Sequence, residues 1–256
     1  MKRTIVVERG VEDILGWPTD TFSIICGPQE HVHTILVFIP GNPGLCEWYI
    51  PLFSKILEAI GPGYTVRGAS YVGHSIHPKQ INVEIEQNDS DTNIPPKTLA
   101  WTLDGQVHHK ITYMDKISKE FPQGRFILVG HSIGCWMVKR ILLYRTNILR
   151  RTSQCIMLMP FIRMDAPAPQ QQALDLVSRN VEASMWILHT FSRIMSFLPS
   201  GAIEVLLKSS MDRPDDRMFT AKLLKQTQFA RNFLGLGSEE IRDVPQAIDV
   251  RLTCLA

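Results

Sequence analysis

The pentapeptide Gly130-His131-Ser132-Ile133-Gly134 stands between the apolar run Phe126-Ile127-Leu128-Val129 and the helix-prone residues 135–143. A strand, a glycine-flanked turn that carries a serine, and a helix make a nucleophile elbow, and no other segment of the chain limits the fold as strongly. The glycines permit a sharp turn and a close approach of helix to strand, which lifts the serine hydroxyl clear of the sheet edge. Ser132 is therefore the candidate nucleophile. His131 fills the variable position of the motif and points away from that hydroxyl, so it is not read as the base.

The rest of the chain has the texture that such an elbow needs. Residues 34–39 are a continuous apolar run ended by Pro40-Gly41, as in a strand buried on both faces. Residues 48–60 suit a helix stopped by Gly61-Pro62-Gly63, and 64–71 read as the next strand. Leu103, Val107, Ile111, Met114 and Ile117 predict a helix over 103–121 that leads into the elbow strand. Residues 154–160 read as a further buried strand, and 250–255 as the start of another. At the other end, residues 4–8 and 21–26 suggest an antiparallel pair separated by Gly10 and a turn around Pro18-Thr19-Asp20. Residues 72–98, rich in Pro, Asn, Asp and Gln, read as a long irregular connection. Strands alternating with helices define an α/β chain with a mainly parallel sheet covered on both faces. With 256 residues, one such domain spanning 1–256 has enough chain for a full core.

A helical insertion at 166–215 interrupts that alternation. It holds Met185-Trp186-Ile187-Leu188, Phe191, Ile194-Met195, Phe197-Leu198 and Val205-Leu206-Leu207, divided by the turn Pro199-Ser200-Gly201. Glu182, His189, Arg193 and Glu204 break it too often for a membrane-spanning helix, which needs about 20 predominantly apolar residues. Such a segment is expected to cap a site, dock on a lipid surface, or both.

Composition excludes several functions. A formal charge of +2 with scattered basic residues leaves no nucleic-acid footprint. The apolar run at the N-terminus ends at Glu8, too short for a signal-peptide core, so a cytosolic start is expected. Five widely spaced cysteines with no CxxC pair read as free thiols, Cys46 being the one expected to be exposed. His31 with His33, and His74 with His77, lack a third ligand at a binding spacing, so no metal is expected. No phosphate-binding loop or dinucleotide fingerprint occurs, and no cofactor is expected. His108 and His109 read as the face of a surface helix, and His74 as lining a pocket mouth.

Acyl transfer by serine needs a nucleophile, a base held by a carboxylate, and backbone donors for the oxyanion. The loop Pro40-Gly41-Asn42-Pro43-Gly44 follows the third strand, where hydrolases with such an elbow supply one backbone N–H. Pro43 has no N–H, so the amide of Asn42 is the first candidate and that of Gly41 the second. The amide of Ile133, next after the nucleophile, is the partner donor.

The chain resembles the lipid droplet-associated hydrolase family of α/β-hydrolases. The resemblance lies in residues 38–44 with Trp48-Tyr49-Ile50-Pro51 and Phe53, in Gly73-His74, in Leu103-Asp104-Gly105-Gln106-Val107-His108-His109-Lys110, and in Leu128-Val129 with the elbow. It implies an α/β-hydrolase fold and a serine lipid hydrolase of lipid droplets and the cytosolic face of the endoplasmic reticulum. It also implies a neutral lipid ester, such as a cholesteryl ester, as substrate, and a role in cholesterol and triglyceride homeostasis. In that family an Asp and then a His follow the nucleophile, the Asp just past a late strand.

Those two positions are not matched here, because 250–255 resembles that late strand and Ala256 ends the sequence. The only histidine after Ser132 is His189, which interrupts the apolar insertion. Asp165, Asp243 and Asp249 read as solvated carboxylates. The expectation is a chain short of the fold's last strand and helix, with little or no esterase turnover. The competing reading is a non-catalytic protein of the droplet surface that keeps the hydrolase framework and docks through the insertion.

Overall fold

β3 (Thr34–Ile39) is buried at every position, because its apolar side chains serve two cores at once. Ile35, Val37 and Ile39 face one side of the sheet, and Leu36 and Phe38 face the other. The computed structural model describes residues 4–74, 102–161, 176 and 179–244. Its six-stranded sheet runs in the order β1-β2-β4-β3-β5-β6, with β1 (Ile5–Ile14), β2 (Trp17–Cys26), β4 (Tyr64–Ala69), β5 (Arg125–His131) and β6 (Thr152–Leu158) around β3. β4, β3, β5 and β6 are parallel neighbours, while β1 and β2 add an antiparallel hairpin against β4.

Helices cover the sheet where the apolar pattern demands it. α1 (Ile50–Ile60) begins with Pro51 in its first turn, where a missing N–H costs nothing. It buries Ile50, Phe53 and Leu57 against Phe22, Leu36, Phe38 and Val66. Gly61, at φ 90°, ends it as the sequence predicts. α2 (Leu103–Glu120) is capped by the Thr102 hydroxyl, which accepts from Gly105 N at 3.1 Å. On the opposite face from α1, α2 and α3 (Ile133–Tyr144) pack Val107, Met114, Met137 and Ile141 against Ile35, Val37, Phe126 and Leu128. Each fully buried side chain of this kind contributes about 1.5–3 kcal/mol. The short α4 (Thr146–Arg151) leads into β6.

The opening hairpin is longer than its sequence suggests. Leu15 and Gly16 both take positive φ, 57° and 74°, and form the two-residue turn that suits strand twist. Gly10 and Pro18-Thr19-Asp20 consequently lie within the paired strands. Pro18 is tolerated because β4 pairs with β2 only from Thr21 onward.

β6 forms where a strand is expected, but it is not buried. Ile156 and Met157 are each 40% exposed, since among the described residues nothing pairs with its outer edge and little covers its faces. Cys46 is also reversed from expectation. It lies wholly buried beneath Ser70 and Glu47, whereas Cys155 on β6 is the exposed thiol. Cys26 and Cys135 are free and buried, and Cys254 lies outside the described residues.

Among the described residues, four further long helices follow: α5 (Val181–Phe197), α6 (Ser200–Leu207), α7 (Pro214–Leu224) and α8 (Thr227–Asp243). The break between α5 and α6 falls at Leu198-Pro199. α5 packs along α8, and α6 along α7. Trp186, Ile187, Ile194 and Phe197 of α5, and Val205 and Leu206 of α6, remain exposed. Among the described residues, no helix is long and apolar enough to cross a membrane.

Candidate active site

Ser132 has φ 52° and ψ −123°, a backbone conformation that costs a non-glycine residue about 1–3 kcal/mol and persists only where its surroundings enforce it. The enforcement is visible on three sides. Ser132 N donates to Leu158 O at the end of β6 (2.9 Å), and Ser132 O accepts from Cys135 N (3.0 Å) and Phe161 N (3.3 Å). α3 can start so close to the sheet only because residue 134 is glycine: a Cβ there would stand 2.3 Å from Ile39 O and 2.5 Å from Pro40 O. The elbow is therefore set against the C-terminal end of β3, where the 40–44 loop begins.

That loop touches the serine. A Cβ on Gly41 would lie 3.0 Å from Ser132 Cβ. Both loop ends are held by the segment after β4. The Tyr71 hydroxyl donates to Pro40 O (2.5 Å), Tyr71 N donates to Gly44 O (2.7 Å), and Gly44 N donates to His74 Nδ1 (3.0 Å). Burial raises the Tyr71 phenol well above its usual range and lowers the His74 imidazole to about 3, so both remain neutral hydrogen-bonding groups. His74 is thus a fully buried strut beneath the loop, not part of a pocket mouth.

The candidate donors differ in their surroundings. Ile133 opens α3, where its N–H has no intrahelical acceptor, and no acceptor for it is found among the described residues. Gly41 abuts His131 Nδ1, from which a Cβ at residue 41 would stand 2.6 Å, and the Tyr49 hydroxyl pairs with that nitrogen at 2.9 Å. The Asn42 N–H has no acceptor among the described residues, while its side chain donates to Phe233 O on α8 at 2.9 Å.

No imidazole or carboxylate hydrogen-bonds the Ser132 hydroxyl among the described residues. The His131 ring is engaged with Tyr49, and burial lowers its pKa. His189 is exposed on α5, and Asp243 pairs at the surface with Arg242 at 2.7 Å. Asp165 and Asp249 lie outside the described residues. No group of three metal-binding side chains is present among the described residues.

The structure also corrects the surface-helix reading of His109 and adds buried neighbours around the site. His109 and Lys110 are buried, not surface residues. His109 Nε2 pairs with the Thr19 hydroxyl at 2.8 Å, and Lys110 Nζ donates to Ser70 O and lies 5.1 Å from the Tyr71 ring centroid. Burial lowers Lys110 to about 7, and burial with the nearby Asp20 raises Glu47. Gln106 spans the same segment, accepting from Val72 N at 3.0 Å. The Gln-x-x-His-Lys spacing puts all three on the α2 face beneath residues 70–72. Glu240 is the other omission. It falls on the stripe Phe233, Leu236, Gly237, Glu240 and Val244, whose helical spacing was available to sequence reading.

A mainly parallel sheet of this order, with a strained serine between β5 and α3 and the loop after β3 set beside it, is the fold of an α/β-hydrolase. The same architecture is found in the haloalkane dehalogenase DatA from Agrobacterium tumefaciens C58. The two superpose with a TM-score of 0.57 at 13% identity, over 92% of this chain and 68% of that one. Residues 32–254 match the family described as lipid-droplet associated hydrolase, and the chain belongs to that family. It is 25% identical over 238 residues to the lipid droplet-associated hydrolase of Gallus gallus, covering 88% of this chain and 69% of the relative. With the Drosophila melanogaster protein of that name it shares 29% identity over 167 residues, 64% of this chain and 50% of the fly protein.

Proposed function

We propose that the chain carries the nucleophile and oxyanion half of a serine lipid hydrolase, with Ser132 attacking the carbonyl of a neutral lipid ester. The observation that carries this reading is the strained φ of Ser132 directly beside Gly41. The amides of Ile133 and Asn42 stabilise the oxyanion, with that of Gly41 the second candidate in the loop. No acid or base is paired with the Ser132 hydroxyl among the described residues. Without them, oxyanion donors and binding give on the order of 10³ to 10⁴ acceleration over water, far below an intact triad. Little or no esterase turnover is the expected outcome for this chain. Sterol esters are the first substrates to try, on family resemblance, and droplets and the cytosolic face of the endoplasmic reticulum the first surfaces.

A fluorophosphonate probe tests the nucleophile. Slow labelling of the whole chain that disappears in Ser132→Ala is expected. Equal labelling of the two proteins, or none in either, overturns the serine-hydrolase reading.

A second reading has its own observation, the exposed apolar side chains of α5 and α6, with Trp186 70% and Phe197 84% exposed. These helices form part of a cap at 166–215 that docks on the phospholipid surface of a droplet, with or without catalysis. Flotation with phospholipid-coated triacylglycerol droplets, with Ser132→Ala binding as the wild type does, supports docking independent of turnover.

A further inference from the structure

Gln106, His109 and Lys110 are buried polar side chains on one face of α2, where polar atoms are costly unless each finds a partner. The partners form a directed chain. The Thr19 hydroxyl donates to Trp17 O (3.2 Å), so it accepts from His109 Nε2–H at 2.8 Å. His109 Nδ1 is then without a proton and accepts from Lys110 Nζ at 3.3 Å. A second Lys110 N–H donates to Ser70 O. The chain therefore ends on one peptide group, the one that joins Ser70 to Tyr71.

The 40–44 loop is tied down at that same peptide. Ser70 N donates to Asp20 O (2.9 Å), and Ser70 Oγ accepts from Cys46 N (3.1 Å), just past the loop. Tyr71 then holds both ends of the loop, through its N–H to Gly44 O and its hydroxyl to Pro40 O. Its ring lies against Gly44, where a Cβ would stand 2.0 Å from Tyr71 Cγ. Lys110 Nζ stands 5.1 Å from the centroid of that ring. Gln106 secures the next residue, accepting from Val72 N (3.0 Å) and donating to Val72 O (3.4 Å).

We propose that Lys110 is a positioning residue: by fixing the Ser70 carbonyl and standing over the Tyr71 ring, it sets the two bonds through which Tyr71 holds the 40–44 loop beside Ser132. A methionine at residue 110 would fill a similar volume but leave Ser70 O and His109 Nδ1 without that donor. The loop has little room to shift without moving against the serine, since a Cβ on Gly41 would lie 3.0 Å from Ser132 Cβ. The placement of the loop does not depend on what Ser132 does; only the consequence for reactivity rests on Ser132 being the nucleophile.

Two readouts on the whole chain separate the loop from the chemistry. Hydrogen exchange at the Tyr71 and Gly44 amides, which donate to Gly44 O and His74 Nδ1, reports the loop directly. Lys110→Met should speed exchange at both by about tenfold and leave the α3 amides unchanged. Ser132-dependent fluorophosphonate labelling reports the consequence. Its rate at saturating probe should fall about tenfold in Lys110→Met with the half-saturating concentration unchanged, because a displaced oxyanion donor acts on the transition state and not on binding.

Tyr71→Phe removes the hydroxyl that donates to Pro40 O and should slow labelling to a similar degree. Because Lys110 acts through Tyr71, combining Lys110→Met with Tyr71→Phe should slow labelling by much less than the product of the two single losses. A combined loss equal to that product overturns the proposal, as does wild-type exchange at residues 44 and 71 in a folded Lys110→Met protein. If Lys110→Met does not fold, Lys110→Gln, which is polar but shorter, is judged by the same outcomes. Failure of both variants to fold would make Lys110 a requirement of the core and would also overturn the proposal. A wild type without Ser132-dependent labelling refutes the nucleophile and leaves exchange at residues 44 and 71 to decide the loop.

Discussion

β5 and β6 lie side by side, run parallel and carry similar apolar runs, Phe126-Ile127-Leu128-Val129 and Cys155-Ile156-Met157-Leu158, yet their fates differ. Phe126 and Leu128 are wholly inaccessible, while Ile156 and Met157 are 40% exposed. The difference lies in the neighbours. β5 has β3 on one side, β6 on the other and α3 across its face, whereas β6 has β5 alone among the described residues. Apolar sequence specifies a strand that can be buried; topology decides whether it is.

This contrast gives three measurements in order of expected effect. Leu128→Ala should cost about 2–5 kcal/mol of unfolding free energy, as core truncations do, and a loss under about 1 kcal/mol would break the comparison. Ile156→Lys on β6 should change stability by less than about 1 kcal/mol and reduce self-association measured by light scattering, because a charge blunts an open sheet edge. A destabilisation as large as that of Leu128→Ala would mean that β6 is covered in solution. The smallest stability effect is expected in α5, where Trp186→Ser with Phe197→Ser should stay within about 0.5 kcal/mol of wild type. The same double variant should lose most droplet flotation, and full retention would remove α5 from the docking surface.

Much of the framework is legible from residue patterns because its signals are local. The unbroken apolar run at β3, the spacing of α2, the stop at Gly61 and the glycines of the elbow each report a constraint acting within a few residues. The errors share a different origin. His109 and Lys110 are polar at helix positions, so the helix alone assigns them to solvent; they are buried because Thr19 and Ser70, distant in sequence, provide hydrogen-bond partners. Cys46 follows a loop rich in Pro and Gly and reads as exposed, but Glu47 and Ser70 close over it. The opening hairpin escapes its sequence signal because the turn, Leu15-Gly16, lacks an Asn or Asp at the first position. In the candidate site, Ser132 and its neighbouring amides are readable from the motif, while the ties of Tyr71 to Pro40 and of His74 to Gly44 enter only through contacts across the fold.

The seat of the elbow is made of backbone, and the candidate nucleophile is a single side-chain oxygen. At residue 134 the carbonyls of Ile39 and Pro40 leave no space for even a methyl group. At residue 132 the hydroxyl bears no part of the framework, whose ties there run through the main chain. A lineage can therefore discard that hydroxyl by one codon change and retain the elbow's shape, whereas the neighbouring glycine permits no comparable experiment.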